Sequence, residues 1–224
     1  MRTNAMLVLF LFCQCAAASD HWRKGERETW ESPGFLEAHA DVMFRKRGLV
    51  LLDEGQADLA VQEFQRAAEY SDKASQAMLG EMYWQGQKIA RDRARAYAWM
   101  DLAAERGFRR FVLERERYWH ALDPAERAAA LRIGRELYAH FGDAIAQPRL
   151  ARRLERHLPT NLGALGLRPL TLLTANGEVK VSRMVYYDRK YWKPELYFAW
   201  TDAVWQADPN GTVEVGPLRG EGRD

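Results

Sequence analysis

The stretch QAMLGEMYWQGQKIARDRARAYAWMDLAAERG, Gln76 to Gly107, decides the fold. Small and large apolar residues recur at three- and four-residue spacing on either side of a glycine-containing loop, which reads as two helices joined by a turn. On the first helix Ala77 and Gly80 permit a close approach of backbones, while Leu79, Met82 and Tyr83 fill the core side. On the second, Ala96, Trp99 and Ala103 share one face. Asp92 is placed as an N-cap, and Gly107 closes the second helix. A two-helix unit cannot bury its apolar face alone, so it implies neighbours built like itself.

Those neighbours are legible on both sides. Ala67-Ala68-Glu69 recurs as Ala103-Ala104-Glu105 at an offset of 36 residues, and Ala60 maps onto Ala96. A weaker echo at an offset of 35 relates Tyr83 to Tyr118, Ala104 to Ala139 and Gly107 to Gly142. Periodicity predicts helices over 34–52, 57–71, 74–85, 93–106, 109–120, 124–141 and 148–158. Asp123-Pro124-Ala125-Glu126 carries the N-cap, first-turn proline and N3 glutamate of a helix start. Leu131, Leu137, Tyr138 and Phe141 follow as its apolar stripe, with Gly142 as the C-cap. The fold class expected is mostly α: a short α-solenoid of stacked helix pairs, then a small α+β C-terminal tail with one β-hairpin.

The unit resembles the Sel-1-like repeat, a relative of the tetratricopeptide repeat. Ala77, Leu79-Gly80, Tyr83, Gly86, Asp92, Arg95-Ala96, Trp99, Ala103-Ala104 and Gly107 carry the resemblance. It is looser over 37–72, where Ser71 stands in a place the family gives to glycine, and Lys88 replaces a second loop glycine. Beyond Gly107, Phe108 and Phe111 replace small residues, which suggests a divergent cap. The resemblance implies a non-enzymatic adaptor, often exported in bacteria. The motif residues are structural, so no binding residue carries over.

After Leu158 the composition changes. Residues 159–169 form a connector punctuated by glycine and proline. TLLTANGEVKVS, Thr171 to Ser182, reads as a hairpin turning at Asn176-Gly177, with Thr174 facing Val179 and Leu172 facing Val181. A helix over 194–206 places Leu196, Trp200 and Val204 on one stripe, and Thr212 to Val215 reads as a third short strand. So small a tail should dock against the last helices. It is dense in aromatic residues: Tyr186, Tyr187, Tyr191, Trp192, Tyr197, Phe198, Trp200 and Trp205. The structural reading makes them a core; the functional one makes Tyr187, Tyr191 and Trp192 an exposed binding surface.

The first 18 residues read as a signal peptide. Arg2, the apolar run Ala5 to Cys13, and Ala16-x-Ala18 supply the charge, length and cleavage features. The run is about half of what a bilayer crossing needs. A lipoprotein acylated at Cys13 or Cys15 is the alternative, and only in that case is a membrane a partner. The domains expected are therefore 1–18 leader, 19–158 repeat region with its cap, and 159–224 tail, in a periplasmic or secreted protein. Both cysteines lie in the leader, so the mature chain would contain no thiol chemistry or disulfide. With 33 Lys and Arg against 31 Asp and Glu, no field draws in nucleic acid. The Arg-rich helix of Arg149, Arg152, Arg153 and Arg156 reads as a solvated face opposite Leu150, Leu154 and Leu158.

No catalytic set stands out. The histidines lack the i, i+4 pairing of a zinc helix, and neither a phosphate loop nor a nucleophile elbow occurs. No metal and no cofactor is expected. The function expected is binding of a protein or peptide in the bacterial envelope. Glu81, Trp84 and Gln85 are candidate outward contacts, Trp84 either as a solvent-side anchor or packed on the preceding unit. The alternative is a cell-wall glycan enzyme, which would need two carboxyl groups in one cleft, one with a raised pKa.

Overall fold

The computed structural model describes residues 23–86, 88–159, 168–174 and 177–207. The leader, the centre of the connector, Asn176 of the hairpin turn and the third strand at 212–215 lie outside the described residues. In chain order the elements are α1 (Glu26–Glu31), α2 (Pro33–Ala38), α3 (Ala40–Asp53), α4 (Ala57–Ala68), α5 (Lys73–Gln85) and α6 (Arg93–Ala103). A single 3-10 turn, Ala104–Arg106, leads into α7 (Arg109–Ala121), α8 (Pro124–Phe141) and α9 (Asp143–His157). Strands β1 (Leu170–Thr174) and β2 (Gly177–Val181) precede α10 (Arg183–Tyr186), α11 (Arg189–Trp192) and α12 (Pro194–Gln206). The chain is mostly α with one antiparallel hairpin.

Helices α3 and α4, and α5 and α6, pack as pairs, and α6 is flanked by both α7 and α8. The small residues sit where backbones meet. A Cβ on Gly80 would lie 3.1 Å from the Ala96 carbonyl oxygen and 3.2 Å from the Met100 nitrogen. One on Gly48 would lie 2.6 Å from the Phe64 ring. Ala60, Ala67, Ala77, Ala96 and Ala103 are fully buried, with Phe64, Met78, Leu79, Trp99 and Leu102 filling the spaces beside them. Caps agree with the local sequence. Asp92 accepts from the Arg95 amide, Asp123 and Glu126 form a reciprocal capping box, and Gly86 ends α5 in the left-handed region. Gly107, left-handed as well, ends the 3-10 turn rather than α6 itself.

Several boundaries differ from the periodic reading, each for a tertiary reason. The helix predicted over 34–52 breaks at His39 (φ −98°, ψ 71°), whose ring turns into the core. Gly142 is extended (φ −60°, ψ 153°), not a left-handed cap, and α9 starts beside it. Pro148 therefore lies inside α9 and does not open it. It removes one backbone donor, while buried Leu150 and Leu154 hold the helix in place. On α8 the buried positions are Ala130 and Gly134, and Leu131 is 52% exposed. On α12 the buried residue is Tyr197, and Leu196 faces outward. The hairpin pairs Thr174 with Gly177, Leu172 with Val179 and Leu170 with Val181. This is a slip of two residues from the predicted register, which leaves every side chain on its expected face.

The tail does not simply extend the solenoid. Its aromatic residues meet the N-terminal helices and α9 in a single core of Trp30, Phe35, Val42, Leu150, Leu154, Tyr186, Tyr191, Trp192 and Tyr197. The hairpin packs on α1 through Leu172 and Val181, and α12 packs on α9. Trp205, near the end of α12, reaches Phe108 and Phe111 at the start of α7. The two ends of the described chain thus close on each other around the stack.

Candidate functional site

A cleft opens on the seam between the stack and this aromatic clasp. It is bordered by the N-terminal turn of α3 (Asp41, Arg45), the α4–α5 corner (Tyr70 to Lys73), Arg106 after α6, and α12 from Tyr197 to Trp205. Trp30 and Leu150 complete its wall. Its volume is about 50 Å³. That admits a few waters or one small polar group, whereas ligand pockets for whole small molecules run to several hundred Å³.

The corner is built by an unusual backbone. Ser71 has φ 67°, alone in positive φ among the described residues other than glycine. It occupies the place that Gly107 (φ 72°) holds one repeat later. A serine there costs on the order of 1 kcal/mol or more of strain, but its hydroxyl is engaged. It donates to Asp143 Oδ1 at 2.5 Å and accepts from Arg106 at 2.5 Å. Asp72 then caps α5, accepting from the Ser75 amide at 2.9 Å, and pairs with Arg45.

Beneath the cleft lies a buried ionic hub. The Lys73 side chain is 1% exposed and donates to the Leu102 carbonyl (3.1 Å) and Glu105 (2.6 Å), with Asp143 at 3.0 Å. Arg106 bridges Asp143 (2.7 Å) and Asp202 of α12 (2.8 Å). Burial raises the Asp143 pKa, and its bonds to Arg106 and the charge of Lys73 outweigh that, so it is held below the usual carboxylate value. The hub thereby ties four parts of the chain to one point: the α4–α5 corner, the end of α6, the start of α9, and α12.

Asp41 is the exception to this pairing. It is 5% exposed, and Oδ2 accepts from the Tyr197 hydroxyl at 2.6 Å. Oδ1 is closed off from solvent and from the cleft, and no side chain among the described residues bonds it. Burial and the neighbouring charge of Asp72 push its carboxyl up to about 6, against the pull of Tyr197, Arg45 and the Val42 amide.

The residues singled out from sequence sit elsewhere. Glu81 and Trp84 are buried, not outward, because α7 packs over them. Tyr118 stacks on Trp84 (4.0 Å, 2°) and donates to Glu81 at 2.5 Å. Trp84 thus packs on the following unit rather than the preceding one. Gln85 is half-buried and donates to Glu81. Tyr191 and Trp192 are core residues, 0% and 2% exposed, and Tyr187 is half-buried against Trp192. None of the six lines the cleft.

The cleft residues Asp41, Arg45 and Asp72 escaped the sequence reading, in which Tyr197 figures only as one of the tail's aromatic residues. Asp41 looks like an ordinary acidic first-turn residue, and its partner Tyr197 is 156 positions away. The one local signal was Ser71 in a glycine position. Among the described residues no group of acids, histidines or cysteines could hold a metal ion, and no helix is long and apolar enough to cross a membrane. Comparison with protein families, curated proteins and solved structures finds nothing that matches this chain.

Proposed function

We propose that this protein is a non-enzymatic adaptor of the bacterial cell envelope, a Sel-1-like repeat protein that binds a protein or peptide. The observation that supports it is the seam cleft: a small, mostly apolar and aromatic hole with charged side chains among its lining, sized for one side chain of a larger partner. Stacked helix pairs supply a rigid scaffold on either side of it. The leader read in the sequence supports export.

A second reading has one observation in its favour. Asp41 and Asp72 share the cleft, and Asp41 has a raised pKa without a hydrogen bond to arginine. That meets part of what a glycan-cleaving acid pair requires. The room is far below that of a sugar ring, which favours the adaptor.

Formaldehyde crosslinking in intact cells separates the two. Wild type is expected to give protein adducts that Val204→Trp, which fills the cleft, loses at unchanged helicity. Absence of protein adducts, together with release of glycan fragments from cell wall by the purified protein, would overturn the adaptor in favour of the enzyme.

A further inference from the structure

We propose that the seam cleft receives an uncharged aliphatic side chain, a leucine presented by a partner polypeptide, and discriminates against charged ones. This rests on the adaptor reading above and names the chemistry its partner must carry.

Charge is the first support. Each charged side chain of the lining is already engaged within the chain. Lys73 has three acceptors for its three N–H bonds: the Leu102 carbonyl, Glu105 and Asp143. Arg106 is held by Asp143, Asp202 and the Ser71 hydroxyl. Arg45 pairs with Asp72, and Asp41 accepts from Tyr197 through Oδ2 while Oδ1 is closed off. The hydroxyls are engaged too: Ser71 donates to Asp143, Tyr197 to Asp41 and Thr201 to the Phe198 carbonyl. An entering ammonium, guanidinium or carboxylate would have to break one of these pairs or stay unpaired, and either is costly in a partly enclosed site. The occupant complementary to such a lining carries no charge.

The apolar wall is the second. Tyr70, Phe198, Trp200, Val204 and Trp205 border the cleft and are only half-buried. Water held against them finds few polar groups free to bond it, so its displacement by a hydrocarbon group is favourable.

Size is the third. At about 50 Å³ the cleft has room for roughly four water-sized atoms. The isobutyl group of leucine matches that room. A methyl group leaves most of it empty and forfeits the contacts of the walls, and a benzyl group exceeds it.

The test uses the full chain and a terminally blocked Ala-Ala-Leu-Ala-Ala peptide, followed by NMR. Saturable shifts are expected at the Val204 methyl groups and the Trp200 indole N–H. Peptides with alanine, lysine, aspartate or phenylalanine at the central position should each bind at least tenfold more weakly. Val204→Trp, which fills the cleft, should abolish the shifts at unchanged far-UV circular dichroism. Val204→Ala, which enlarges it, is the second variant and should move the preference from leucine to phenylalanine. Equal binding of the alanine or charged peptides, an unchanged preference in Val204→Ala, or no saturable shift in the cleft would overturn the proposal. Crosslinking in cells keeps the two levels apart. Adducts from wild type, lost in Val204→Trp, without binding of the leucine peptide would remove the leucine inference and leave the adaptor standing; adducts absent from wild type would remove the adaptor and this inference with it.

Discussion

The helical stack and the aromatic clasp solve the same problem by opposite means. The stack buries alanine and glycine at its contacts, so its helices come close and large side chains pack beside the crossings. The clasp buries Trp30, Phe35, Tyr186, Tyr191, Trp192 and Tyr197 around short helices and a two-stranded hairpin that could not stand alone. In the stack, partners are one or two elements apart. In the clasp they come from opposite ends of the described chain: His39 bonds the Tyr191 carbonyl, and Lys190 bonds Glu26 at 2.9 Å. Local contacts form early and distant ones late, so the clasp should be the last region to form and the first to open. The seam where they meet inherits buried charge from one and aromatic walls from the other.

The largest effect should come from truncating the clasp. Trp192, 2% exposed, donates its indole N–H to the Tyr186 carbonyl at 2.6 Å. Trp192→Ala should cost about 3–5 kcal/mol. Near-UV circular dichroism is expected to be lost at lower denaturant than the far-UV helical signal. Loss of both in one transition would mean that the two regions form a single cooperative unit.

Next is the hub. Lys73→Met leaves Glu105 short of its cation and removes one of two from Asp143, a loss of about 3 kcal/mol by denaturant titration. A loss under about 1 kcal/mol would show that Arg106 alone sustains the seam.

The clasp should also respond to acid. Burial pushes the His39 imidazole down to about 4, against the raising effect of the Phe35 and Tyr191 carbonyls. The unfolded state, near the ordinary 6.5, binds more protons between the two values. Neutral His39 can donate to only one of these two carbonyls, which offsets part of the burial effect, so the stability it contributes should fall as pH drops from about 6.5 to about 4, by less than about 3 kcal/mol, and level off below. Asp41 acts in the opposite sense. Its folded value, near 6, lies above its ordinary 3.8, so its contribution is present below about 4 and is lost as pH rises through 6. Stability curves of Asp41→Asn isolate the His39 slope, and a flat curve there between pH 4 and 6.5 would contradict it.

The smallest effect belongs to the stack. Gly80→Ala places a methyl against the Ala96 and Met100 backbone. Overpacking should exceed the roughly 1 kcal/mol gained in helix propensity, for a net loss of about 1 kcal/mol. A stabilised variant would show that α5 and α6 can separate slightly without harm.

This contrast also explains what the sequence revealed. Ala77, Gly80, Ala96 and Ala103 recur at helical spacing, so the pairing of α5 with α6 could be read from one window. Asp92, Asp123 and Gly86 announced helix ends through bonds to residues three or four away. The clasp has no such period. Nothing within a short window tells Tyr197 that its hydroxyl meets Asp41, or shows that Trp84 will be covered by Tyr118. The site arises from pairings across the fold, and only the glycine slot taken by Ser71 marked its place.

The most direct measurement is site-specific photocrosslinking in intact cells from two positions. One is Val204, half-buried at the seam; the other is Leu113, 57% exposed on the outer side of α7. A polypeptide adduct from Val204 and none from Leu113 is expected. Adducts from Leu113 alone, or from neither position, would contradict the seam as the binding site.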